Sequence, residues 1–584
     1  MTKERKVKMG FLKKYILKYW KLFCFALLFL SLEATCDLLQ PTIMSKIVDI
    51  GVKEKRIDFV IHMGMLMLGI TAVGALAAVC RNNLASNVSQ SFGADLRLDL
   101  FKRIQHFSFD NINKFEGASL ITRLTNDVTQ VQNFSNGMMR IFVKAPIVGI
   151  GSLIMALRLN ARLAMILLAI VPIVFLLIYL NIRISYPLFR KVQNSLDDVN
   201  SVMREYLSGV RVVKAFNRFN YEEERFAKAN DELVSHSVWA MRAMSVFSPS
   251  VTLIVNIGIV LILWIGGGKV SQGSIQVGQI IAFTNYMTQI LFSLMVISNV
   301  FNMFVRARAS AERIGEVFEE EESMKNGTEN AIASGQQGKI EFENVSFSYK
   351  GSAGKPALKN VSFTGNKGEI IGIIGSTGSG KSSLVNLIPR FYDAASGEIK
   401  VNGVSIKEWD VKKLREIIAV VPQKTTLFTG SILENIRWGK EDANLKEVKT
   451  AASIAQANDF INTFTDGYDT TLGQGGVNLS GGQRQRIAIA RALVRKPEIL
   501  ILDDSTSAVD AVTETNIREG LKEYLGDVTC ILIAQRITSV MDTDKILVLD
   551  DGEIVGMGKH QELMENCGVY QDIFRSQLGK EKMQ

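Results

Sequence analysis

Six long apolar stretches fill the first half of this chain, and they constrain its fold more than anything else in it. They run near Leu22–Ile43, Phe59–Val79, Ile141–Leu157, Leu163–Leu180, Val251–Ile265 and Ile280–Val300. A helix needs roughly 20 such residues to cross a bilayer. In lipid every backbone N–H and C=O must be satisfied within the segment, so stretches of this kind fold as spanning helices. The connections alternate in length. Short ones around 51–58, 158–162 and 266–279 read as hairpins on the outside. Long ones, roughly 81–140 and 181–246, keep a helical period and are rich in Lys and Arg, which puts them inside with the basic N-terminus. No Pro or Gly break separates them from the spans at the junctions, so the helices are expected to continue into the cytoplasm.

Charge supports the same placement. Residues 1–21 carry eight Lys/Arg against the single acid Glu4, with Phe11, Tyr15, Ile16, Tyr19 and Trp20 interleaved. The pattern predicts a basic interfacial helix on the cytoplasmic face. A cleaved signal peptide fits poorly, because Glu33 and Asp37 interrupt the apolar run and five more spans follow. The net charge of +9 therefore reads as membrane-flanking charge rather than a nucleic-acid surface. Five cysteines (Cys24, Cys36, Cys80, Cys530, Cys567) lack paired spacing, as in a reducing compartment. These features imply a multi-pass protein of the cytoplasmic membrane.

Polar side chains inside spans are functional hypotheses by default. Glu33 and Asp37 lie four residues apart, on one face of the first span; Asn285, Gln289, Asn299 and Asn302 mark the last. Three readings stay open: a cavity for cationic or amphipathic substrates, an outer gate pairing the acids with Arg158 or Arg162, and plain interhelix bonding. Each long connection should also turn at a segment able to touch a cytoplasmic domain. His106–Gly117 and the basic, apolar-faced stretch Gly209–Phe219 are the candidates.

The second half changes character. Residues 1–318 form the membrane domain, 319–338 an acidic, then Gly/Ser-containing linker, and 339–584 a soluble α/β domain of alternating strand and helix patterns. Glu369–Ser383 carries an apolar strand, then Gly375-Ser376-Thr377-Gly378-Ser379-Gly380-Lys381-Ser382-Ser383, then a helix pattern. This Gly-x4-Gly-Lys-Ser loop wraps phosphates with backbone N–H groups at a helix N-terminus. Lys381 is expected at the β- and γ-phosphates and the Ser382 hydroxyl on Mg2+. Tyr349, at the end of a preceding strand, suits stacking on adenine. Gln423 follows the buried run Val420-Val-Pro and suits Mg2+ and the attacking water. The apolar strand Ile499–Asp503 ends in a carboxylate placed to hold Mg2+ through water. Leu479-Ser480-Gly481-Gly482-Gln483 opens another helix, making a second phosphate-binding end far from the first in sequence.

Together, Lys381, Gln423, the Leu-Ser-Gly-Gly-Gln stretch, Asp503 and Ser507-Ala-Val-Asp510 resemble the ATPase domain of ABC transporters. With six spans on the same chain, nearly the whole length resembles a bacterial ABC exporter half-transporter. The resemblance implies that two half-transporters sandwich ATP, each phosphate loop facing the other's signature stretch. It also implies that Val212–Phe219 docks into the partner's ATPase domain, and that the cofactors are ATP and Mg2+. A DNA-maintenance ATPase is excluded by the spans, and an importer disfavoured because its parts are generally separate chains.

The departures from the family pattern carry the sharper expectation. Where hydrolytic subunits place Glu after Asp503, this chain has Asp504, one methylene shorter. Where they place a switch His it has Gln535, in Ile533-Ala-Gln-Arg536, and His560 lies too far along the chain to substitute. Gln can bond a phosphate but has neither the charge nor the proton chemistry of imidazole. Gly473-Gln474-Gly-Gly476 also departs from the usual Gly-Glu-x-Gly. An intact phosphate loop and signature beside these changes resemble the degenerate-site subunit of a heterodimeric multidrug exporter. The expected partners are a second half-transporter, a small amphipathic substrate and the bilayer, with no nucleic acid. A homodimeric lipid or peptide exporter, or a regulatory ATP-binding subunit that pumps little, is the alternative.

Overall fold

The computed structural model describes residues 10–321, 324, 326–327, 336–349 and 355–579, without the side chains of residues 297–299, 301, 302 and 525. The chain divides into two units. One comprises residues 1–105 and 118–320, the other 106–117 and 321–584.

The first unit is helical. Among the described residues, six helices are long and apolar enough to cross a membrane: Gly10–Val52, Ile57–Gln105, Gly117–Leu159, Ala161–Ala215, Phe219–Ser271 and one that begins at Val277. Most run well beyond the apolar stretches, as the unbroken junctions predict, and the last continues to Glu319. Helix Ala161–Ala215 tolerates Pro172 and Pro187 in its interior. The basic stretch is helical as expected, and from Gly10 it is continuous with the first span; residues 1–9 lie outside the described residues. Its polar groups find partners on the second helix: Lys14 and the Tyr15 hydroxyl both donate to Asp99, and Lys18 and the Tyr19 hydroxyl to Asp95. Those pairs fasten one side of the helix to its neighbour and leave Ile16, Leu17 and Trp20 exposed.

Of the three readings left open for the acids of the first span, the structure shows interhelix bonding. Glu33 is buried and accepts from Arg81 Nε at 2.7 Å and from Lys144 Nζ at 2.6 Å. Lys144 also lies 2.9 Å from Asp37, and Arg81 donates onward to the Arg140 carbonyl at 3.3 Å. The cluster ties the first three spans together. Arg158 and Arg162 are exposed beside the Asn160 hairpin, 14 and 18 residues past Lys144 in the chain. At about 1.5 Å per residue that is more than 20 Å along a helix, out of reach. Gln289 accepts from Ser152 at 2.8 Å and donates to the Asp37 carbonyl at 3.2 Å, so it joins three spans. Asn285 only bonds back to Ile281 of its own helix. The side chains of Asn299 and Asn302 lie outside the described residues.

The second unit is built on two sheets. A six-stranded sheet has the order Glu553–Gly558, Lys545–Asp550, Ile370–Gly375, Thr529–Ile533, Ile499–Asp503, Ile418–Val421, all parallel except the first. Strands covered on both faces read as continuous apolar runs, which is why Ile499–Asp503 and Thr529–Ile533 are buried at every residue. A smaller antiparallel sheet orders Leu358–Gly365, Ile340–Phe347, Ser396–Val401 and Val404–Ser405. The segment 106–117 belongs to this unit: its helix Phe109–Phe115 sets the Phe109 ring 4.9 Å from Phe391 and 5.9 Å from Tyr392, and Asn113 donates to the Tyr392 hydroxyl.

Candidate functional site

In open parallel sheets ligands bind beyond the carboxyl ends of the strands, and the candidate residues collect there. The phosphate loop leaves the central strand Ile370–Gly375 and opens helix Lys381–Leu387. Its geometry demands glycine at two points. A Cβ on Gly375 would stand 2.0 Å from the Leu549 carbonyl oxygen, and Gly380 has φ +99°. Lys381 reaches back over the loop and donates to the carbonyls of Gly375 at 2.9 Å and Ser376 at 2.7 Å. Burial lowers its pKa below the ordinary lysine value, with Asp503 and Asp504 opposing that shift.

Two strands away, Asp503 ends its strand in register with Ile533. The Ser382 hydroxyl donates to Asp503 at 3.2 Å, so the two residues expected on Mg2+ are adjacent. A hydroxyl, a carboxylate and an amide oxygen form the hard-oxygen set this ion takes. Asp504 follows at φ +49°, uncommon for a residue with a side chain. One of its carboxylate oxygens accepts from both Gln535 Nε2, at 2.7 Å, and Gln423 Nε2, at 3.2 Å. Burial raises both aspartates above the usual carboxylate range, against the pull of these hydrogen bonds.

These groups line one cavity of about 520 Å3, together with Tyr349, whose hydroxyl lies 2.9 Å from that of Ser383. The residues 480–483 do not line it. Ser480 instead caps helix Gly481–Leu493 by a reciprocal exchange with Gln483, and Gly482 passes so close to the Ala508 carbonyl that a Cβ would meet it at 2.8 Å. Gln485 then bonds Ser507 and the Ala508 N–H, fastening the signature helix to the Ser507–Asp510 turn. The signature stretch therefore opens its helix away from the cavity of the phosphate loop.

Sequence reasoning missed the C-terminal helix Gly568–Leu578, whose Ile573, Ser576 and Gln577 line the cavity. Gln577 accepts from the Ile537 N–H at 2.7 Å and donates to the Gln535 carbonyl at 2.8 Å, holding the Gln535 segment in place. It also missed buried Glu514, which joins Thr506, Ser539 and Arg536 behind the site. Nothing in the spacing distinguishes either residue from ordinary helix positions.

Comparison with known proteins settles the family. Residues 23–294 match the model described as ABC transporter transmembrane region, and 358–507 that described as ABC transporter. YfiB, an ABC transporter ATP-binding protein of Bacillus subtilis, is 42% identical over 98% of each chain. This chain is an ABC exporter.

An ATP-dependent lipid A-core flippase of Thiobacillus denitrificans is 31% identical, again over 98% of each chain. A solved bacterial Atm1-family ABC exporter with ATP bound superposes with a TM-score of 0.78 at 25% identity, covering 98% of this chain and 99% of that one. The exporter is a multi-pass membrane protein whose cytoplasmic ATPase domain binds ATP and drives transport.

Proposed function

We propose that this exporter is one half of a heterodimer that moves amphipathic drugs or lipid-like compounds outward, with its own phosphate loop forming a degenerate ATP site. The observation that carries this reading is the state of Asp504. Its carboxylate is a methylene shorter than the usual base, and two amides hold it by the same oxygen. Both Gln423 and Gln535 are occupied with that carboxylate instead of presenting a charge or a transferable proton to a phosphate. Misplacing a catalytic group by ~1 Å can cost ~100-fold.

At this site Lys381 and the loop N–H groups bind the phosphates, Tyr349 takes adenine, and Ser382, Gln423 and Asp503 hold Mg2+. The ion's chemistry is to neutralise charge on the β- and γ-phosphates. Ser480–Gln483 close over ATP held by the partner's phosphate loop. The separation of these residues from the chain's own cavity supports that assignment. Val212 and Phe216, at the tip between two long helices, are 60% and 73% exposed, which suits docking on the partner. The full length match to a lipid flippase favours one second reading, a homodimeric lipid exporter.

The test is to extract the tagged chain from its native membrane in mild detergent and determine the mass and composition of the complex. A 1:1 pair with a different half-transporter, one carrying Glu and His where this chain has Asp504 and Gln535, is the expected result. Two identical chains would overturn the heterodimer.

A further inference from the structure

The membrane unit holds another cavity, apart from ATP and independent of how the ATP sites are shared. It encloses about 290 Å3, walled by the rings of Tyr15, Tyr19 and Trp20 on the first helix, Phe92 on the second and Phe134 on the third. That is space for on the order of ten water-sized groups, so it takes part of an acyl chain and not a whole lipid. The lining offers almost nothing polar. The two tyrosine hydroxyls are already committed, Tyr15 to Asp99 at 2.8 Å and Tyr19 to Asp95 at 2.7 Å. Their rings are left as apolar walls, with Tyr15 set edge-on to Phe92.

Charge around the cavity has one sign left over. Asp95 and Asp99 are matched by Lys18 and Lys14. Lys13, on the same helix next to the lining residue Leu12 and on the same side as Trp20 and Cys24, is exposed and has no partner among the described residues. Position adds the third argument. The cavity lies where the basic stretch 1–21 passes into the apolar run from Leu22, and Tyr and Trp collect at that depth of a membrane. Basic residues there attract anionic lipid of the cytoplasmic leaflet, whereas a cationic amphiphile would meet an uncompensated lysine.

We propose that this cavity binds an acyl chain of an anionic phospholipid from the inner leaflet, whose headgroup Lys13 neutralises. The chain supplies its own reporter. Cys24 lines the cavity, and of the five cysteines only Cys24 and Cys80 are exposed, so Cys80 serves as the internal reference.

The test uses the full transporter in vesicles of phosphatidylglycerol or of phosphatidylcholine, and follows N-ethylmaleimide labelling of both thiols by peptide mass spectrometry. The rate at Cys24 relative to Cys80 should be lower by about fivefold or more in phosphatidylglycerol, as occupancy by a bound lipid protects it. The exposed variant Lys13→Gln should bring the two lipids to within about twofold of each other. Native mass spectrometry of gently extracted protein should show phosphatidylglycerol retained by the wild type and not by the variant. Equal ratios in the two lipids, or protection that survives Lys13→Gln, would overturn the proposal.

Discussion

At the scale of single residues, buried charge decides what this protein can do. Asp503 and Asp504 have folded-state pKa values raised by burial. For an acid so shifted, ionisation opposes folding, so the nucleotide-free domain loses an increment of stability as pH rises through the shifted values. Cation binding takes the ionised form and strengthens over the same interval. Magnesium-dependent ATP affinity should therefore weaken on acidification at a pH above the ordinary aspartate value of about 3.9. Calorimetric titration from about pH 8 down to about pH 4 reads it; an affinity flat until the ordinary aspartate range would contradict the burial argument. In the membrane unit, Arg81→Ala strips Glu33 of one of its two cations and leaves Lys144 to serve both acids. Breaking a buried pair of this kind costs about 3–5 kcal/mol. Thermal unfolding in detergent should register it, and a midpoint unchanged from wild type would show that the cluster is not holding the spans.

At the scale of elements, the sequence was most legible where one physical demand governs a long run. Six apolar stretches, the loop glycines and the buried strand Ile499–Asp503 each answer to a single requirement: lipid, phosphate or a sheet covered on both faces. It was least legible where partners come from distant segments. Which base meets Glu33 depends on how three helices pack, and no spacing within one helix specifies that. Helix Gly568–Leu578 enters the ATP cavity for the same kind of reason, through Gln577. Helix Phe109–Phe115 was anticipated as a contact segment, and its docking rests on Phe109 against Phe391 and Tyr392. An aromatic pair contributes about 0.5–1.5 kcal/mol beyond burial. Phe109→Ala should weaken that docking by about 2–13-fold, seen as loss of substrate stimulation of ATPase with basal turnover kept. Full stimulation in the variant would remove this helix from coupling.

At the scale of the whole molecule, the account rests on asymmetry between two composite ATP sites. In the proposed heterodimer, one uses the Lys381 loop with Asp504 and Gln535, and the other uses Ser480–Gln483 over the partner's phosphate loop. The most direct measurement is steady-state ATPase of the purified transporter carrying Lys381→Ala or Ser480→Arg in this chain alone. Lys381→Ala should empty this chain's own site yet keep a substantial share of turnover, while Ser480→Arg should reduce it nearly to background. Loss of turnover in Lys381→Ala, or full activity in Ser480→Arg, would contradict the asymmetric mechanism.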